Sequence, residues 1–135
     1  MIISGGMPTI FVSDIDAAVR FYTETLGLRL IQQYGPQFAS IDAGQGVTIG
    51  LHPASANNPA GRSGSITLGF MSSDPIRDSV ATLKSRGVVF LSDVIDDGQL
   101  FLADFQDADG NRLYLAEMKQ AHRRETREPA TTAKA

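Results

Sequence analysis

The sequence predicts an α+β fold in which two βαβββ modules form one curved, eight-stranded mixed sheet with both helices on its convex face. Three observations lead there. A helix-forming segment occurs twice at the same length, and each copy is preceded by one strand-like run and followed by three. A stretch rich in Pro, Gly, Ala and Asn separates the halves.

The first module, about residues 7–52, opens with the strand PTIFV and continues into SDIDAAVRFYTETLG. Ser13 or Asp14 caps that helix, Gly27 ends it, and Ile15, Val19, Tyr22 and Leu26 recur at helical spacing. Phe21 and Tyr22 read as packing between helix and sheet. The strands LRLIQQY, FASIDAG and VTIGLH complete the module. Residues 53–64, PASANNPAGRSG, read as an exposed linker.

The second module, about residues 65–118, starts with SITLGFM. Its helix begins at Asp74, carries Pro75 in the first turn, ends at Gly87 and buries Ile76, Val80 and Leu83. Residues 14–27 and 74–87 are equal in length and start 60 residues apart, the mark of an internal duplication. The strands VVFLSDV, LFLADFQD and RLYLAEM follow, with turns at VIDDGQ and DADGN. The second turn lacks the spaced donors and terminal Glu of an EF-hand, so Asp109, Gly110 and Asn111 are read as turn formers. One module cannot bury both its helix and its sheet edges. Two side by side can, and they leave a concave face as the natural pocket.

The 135 residues suggest one domain, residues 1–120, followed by a basic tail, 121–135, expected to be solvated. From Lys119 onward five Lys/Arg face two Glu, so the tail carries +3 and the body −6 of the formal net charge of −3. An acidic body repels nucleic acid, and the tail cations have no aromatic neighbours to stack bases, so no nucleic-acid partner is expected. The absence of cysteine excludes disulfides and thiolate chemistry. The N-terminus does not read as a cleavable leader, and no apolar run nears the roughly 20 residues of a bilayer span, so a cytoplasmic protein without a membrane partner is expected. No phosphate-cradling loop or nucleophile elbow is present.

Strand alternation selects the pocket residues. Thr48, Gly50 and His52 share one face of VTIGLH. Tyr114 and Ala116 share a face opposite Leu113, Leu115 and Glu117. Leu68 and Phe70 are expected on the wall beside them. Gly50 is expected to make room for a ligand. The phenol of Tyr114 needs a partner, which His52 or a ligand could supply.

The duplicated order, with FVSDIDAAVRFYTETLGL near the start and DADGN before the last strand, resembles the vicinal oxygen chelate superfamily over about residues 7–118. That superfamily holds glyoxalase I, extradiol dioxygenases, fosfomycin resistance enzymes and bleomycin resistance proteins. The resemblance implies four metal-ligand slots on the concave face, and here they fall on Met7, Gly50, Leu68 and Tyr114. Divalent ions of the zinc or nickel kind want about three or four His or carboxylate donors, and these residues do not offer them. Of the two histidines, His122 lies in the tail and His52 sits roughly 6–7 Å along the strand from Gly50. No metal and no cofactor is therefore expected. The resemblance also implies a homodimer with a cavity shared between the first module of one chain and the second of the other. The expected function is metal-independent binding of a small organic molecule, in the manner of bleomycin resistance proteins. The alternatives are a metal-dependent lyase, isomerase or dioxygenase with displaced ligands, and a metal-free enzyme using His52 or Tyr114 as acid or base.

Overall fold

The computed structural model describes residues 2–61 and 66–119; the tail from residue 120, with His122, lies outside them. Strand β1 (Thr9–Val12) leads into helix α1 (Ile15–Arg20), which continues through a wider π-helical turn (Phe21–Thr25). Strands β2 (Arg29–Tyr34), β3 (Phe38–Gly44) and β4 (Val47–Pro53) complete the first half. The second half contains β5 (Leu68–Met71), α2 (Ile76–Ser85), β6 (Val89–Phe90), β7 (Ile95–Asp96), β8 (Leu100–Gln106) and β9 (Arg112–Met118).

This is the α+β arrangement read from the sequence, with two differences in the strands. Backbone hydrogen bonds divide them into two mixed sheets, ordered β1-β4-β3-β2 and β5-β9-β8-β6, with β7 also on β8. The run expected as one strand, VVFLSDV, is broken into β6 and β7. At the break the Ser92 hydroxyl accepts from Asp104 N (3.0 Å) in place of a main-chain carbonyl and donates to Asp93 O (3.0 Å).

The helices form where local chemistry allows. Asp14 Oδ1 accepts from Ala17 N (3.1 Å) at the start of α1, and Gly27 takes the positive φ that ends the segment. At α2 the capping group differs from expectation. Asp74 does not cap the helix; Glu117 on β9 accepts from Ile76 N (2.9 Å), so a sheet residue satisfies the first turn. Both helices cover the same side of the sheets. Ile15, Ala18 and Tyr22 pack on Val12, Ile41, Ile49 and Leu51, while Ile76 and Val80 pack on Phe105, Leu113 and Leu115.

No ladder joins β1 to β5; the edges meet across a cleft of about 170 Å³. The DADGN turn ties them instead. Asp107, the only charged residue buried among those described, accepts from Tyr22 Oη (2.9 Å), Asn111 Nδ2 (2.9 Å), Asn111 N (2.8 Å) and Asp109 N (3.0 Å). Asn111 Nδ2 also donates to Phe11 O (3.0 Å), and Asn111 Oδ1 accepts from Gly61 N (2.8 Å). Asp109 Oδ2 accepts from Ser13 N (3.1 Å). Helix α1, strand β1 and the linker are thus all fastened to one turn of the second half.

Burial first, and the Asp107 charge second, hold the Tyr22 hydroxyl un-ionised well above its ordinary value of 10.0. Because the folded value exceeds the unfolded one, its contribution is complete below pH 10 and declines above it, by about 1.4 kcal/mol per pH unit. Tyr22→Phe is expected to destabilise the fold by about 1.5–3 kcal/mol at neutral pH, since a buried carboxylate loses a donor. It should also remove that alkaline decline, and urea unfolding of both proteins at pH 7 and above pH 10 measures each effect. Equal alkaline slopes in the two proteins would contradict the assignment.

Candidate functional site

The face of the sheets opposite the helices is set by β4 and β9. On β4, Ile49 and Leu51 are fully buried under α1, which turns Thr48, Gly50 and His52 the other way. Parallel pairing of β1 places Thr9 beside Gly50 and Phe11 beside His52 on that open face. On β9, Leu113 and Leu115 point to α2, so Arg112, Tyr114 and Ala116 look out with their β8 partners Gln106, Asp104 and Leu102.

Met7 and Gly50 are neighbours, as the slot positions require. A side chain on Gly50 would meet Met7 Cε at 3.0 Å and Phe38 Cε1 at 3.1 Å. The space expected to be free for a ligand is therefore occupied by a methionine methyl and a phenyl edge, which is why Gly50 is buried. Phe38, absent from the sequence-derived site, belongs to it.

Leu68 and Phe70 are not on the open face. Leu68 pairs with Leu113 and Phe70 with Leu115, and both pack on the core, where Phe70 meets Phe105 at 6.4 Å between ring centroids. Gly69 and Met71 take the outward positions. The Tyr114 ring lies directly over Gly69, where any β-carbon would overlap it. The glycine is a seat for the phenol, the close approach that a glycine within a strand permits.

Tyr114 and His52 do not meet. They stand on different sheets, no hydrogen bond joins them, and His52 Nδ1 lies 2.9 Å from Pro53 O with its ring edge-on to Phe11. Within one chain an acid–base pair of these two is not assembled. The Tyr114 hydroxyl bonds to no described residue. Beside it, Arg112 Nη2 is paired with Asp104 Oδ2. On the other sheet, Asp42 binds Gly44 N (2.8 Å) and Arg29 (2.7 Å), and these contacts, the backbone one first, hold its carboxyl below the usual range. Both acids of the open face are thus engaged.

The donor set does not fit a divalent metal. The slots offer a thioether, a glycine and a phenol, while Leu68 points to the core. Among the described residues no three His, Cys, Asp or Glu come together to hold an ion. Large apolar side chains are exposed instead, including Met7, Tyr34, Met71 and Ile95.

Residues 6–115 match the sequence profile described as the Glyoxalase/Bleomycin resistance protein/Dioxygenase superfamily. The chain belongs to this superfamily. No curated protein matches it closely enough to add a finer assignment. Among solved structures it is similar to TnmS3, an antibiotic binding protein from Streptomyces sp. CB03234. That pair shares 27% identity and a TM-score of 0.74, over 88% of this chain and 99% of the other. A superfamily member from Sphaerobacter thermophilus DSM 20745 shares 26% identity and a TM-score of 0.69, over 87% and 99% of the two chains. A glyoxalase/bleomycin resistance protein from Streptomyces sp. CB03234 shares 25% identity and a TM-score of 0.66, over 83% and 98%.

Gly69→Ala is expected to lift the Tyr114 ring from its seat and destabilise the fold by about 1–3 kcal/mol, the usual range for overpacking. Ring-proton chemical shifts of Tyr114 and a denaturation curve report it. Unchanged ring shifts in a folded Gly69→Ala protein would show that the seat does not hold the ring.

Proposed function

We propose that this protein binds a small organic molecule on the open face of its sheets without a metal, and so sequesters it. The observation that carries this reading is the chemistry of the slots: Met7, Gly50 and Tyr114 stand where the resemblance implies metal donors. The 27% identity to an antibiotic binding protein supports the same direction. The ligand class is aromatic or amphipathic, because the face combines apolar side chains with a free phenol and no unpaired carboxylate. The body charge of −6 favours a cationic molecule.

A symmetric homodimer is part of the proposal. A second copy would cover apolar groups such as Met71 and Ile95, which are about half exposed at 60% and 48%, and would give two equivalent pockets. The reading places the protein in the cytoplasm. No described helix is long and apolar enough to cross a membrane.

A thermal-shift screen of aromatic antibiotics, run with and without a chelator, tests the proposal. At least one compound is expected to raise Tm equally in both conditions through mass action. Tyr114→Ala should weaken that compound about tenfold, near the loss of one hydrogen bond with its ring contact. Ligand binding that disappears with the chelator, or that ignores Tyr114→Ala, would contradict the reading.

A further inference from the structure

A second cavity is on the opposite side of the sheets from Tyr114. It measures about 360 Å³ and lies between the end of α1 and the flank of α2. Ser79, Thr82 and Leu83 of α2 and Arg86, which caps its C-terminus, form one wall, at the i, i+3, i+4, i+7 spacing of a single helix face. Phe70, Phe105 and Leu115 floor it, and Leu26, Leu28 and Ala43 of the first half close the far side. The site is amphipathic: an apolar floor under a wall of hydroxyls that ends in a guanidinium.

Arg86 is the feature that selects a ligand. Its Nη1 donates to Thr25 O (2.9 Å), which fixes the group across the junction of the two halves. No described carboxylate forms an ion pair with it. Asp74, the acid on the cavity rim, precedes α2 whereas Arg86 follows it, so the length of the helix, roughly 15 Å, lies between them. The Thr82 and Ser73 hydroxyls donate to no described acceptor, whereas Ser72 and Ser79 bond to one another at 2.7 Å.

We propose that this cavity is a second ligand site, which takes a small monocarboxylate by placing its apolar body on Phe70, Phe105 and Leu115 and its carboxylate at Arg86. A guanidinium held by one N–H keeps its remaining donors for a carboxylate, and such charge-assisted bonds are the stronger kind. The volume, near the low end for ligand cavities, suits a fragment with a short chain or one ring. The site is separated from the open face by the sheet itself, so it stands or falls independently of the function proposed above.

Octanoate and its neutral counterpart octan-1-ol are the probes, followed by backbone amide chemical shifts of the full chain. Octanoate is expected to produce saturable shifts at the amides of Ser79, Thr82, Leu83 and Arg86. Arg86→Gln should weaken octanoate about tenfold while leaving octan-1-ol nearly unchanged, since only the charged contact is lost. Thr82→Trp, on the exposed wall, should weaken both probes by filling the space. Three results would overturn the proposal: no saturable shifts at these amides, octanoate shifts confined to Gly50 and Tyr114 on the opposite face, or equal affinity of octanoate for the Arg86→Gln protein.

Discussion

Asp107 accepts four hydrogen bonds in a nearly water-free position, and three other parts of the chain are arranged around it. The two sheets share no ladder, and away from this turn their halves are joined by side-chain packing and by the Arg86 to Thr25 O hydrogen bond. The carboxylate orders the DADGN turn, and the turn's Asn111 and Asp109 then reach Phe11, Ser13 and Gly61 of the first half. A buried charge is tolerated because every lone-pair direction is used. Tyr22 contributes one of those donors from the interior of the first half, so the relative position of the halves depends on a contact between residues 85 apart in sequence.

That placement determines what the open face can be. With α1 and α2 on one side, alternation leaves Gly50 and Tyr114 on the other. Each is matched by a partner: Met7 and Phe38 fold over Gly50, and Gly69 admits the Tyr114 ring. The two halves therefore use glycine in related ways, each giving room to a larger neighbour. What faces outward is a surface of thioether, phenyl and phenol groups beside two closed ion pairs. Such a surface has few groups able to hold a hard cation.

Much of this was legible in the residues. The two helices are marked by Asp14, Gly27 and Gly87, the turns by Gly98 and Gly110, and the outward positions of β4 and β9 follow from alternation around Ile49, Leu51, Leu113 and Leu115. SITLGFM is where the metal slot implied by the resemblance, at Leu68, misleads. Its larger residues Leu68 and Phe70 are what the core needs, and the informative signal was Gly69, a small residue set between them. Other features depend on contacts that local patterns do not contain. Nothing near Gly50 announces that Phe38 will cover it, nothing in the α2 segment shows that Glu117 will cap it, and the break in VVFLSDV comes from one serine hydroxyl replacing a carbonyl.

The open face carries apolar and phenolic groups where the resemblance implies cation donors. The most direct measurement is an amide NMR spectrum recorded with one equivalent of Mn²⁺, whose unpaired electrons broaden signals of nearby residues. The amides of Thr9, Gly50, Gly69 and Tyr114 are expected to keep their intensity. Selective loss of those four signals, reversed by a chelator, would contradict it.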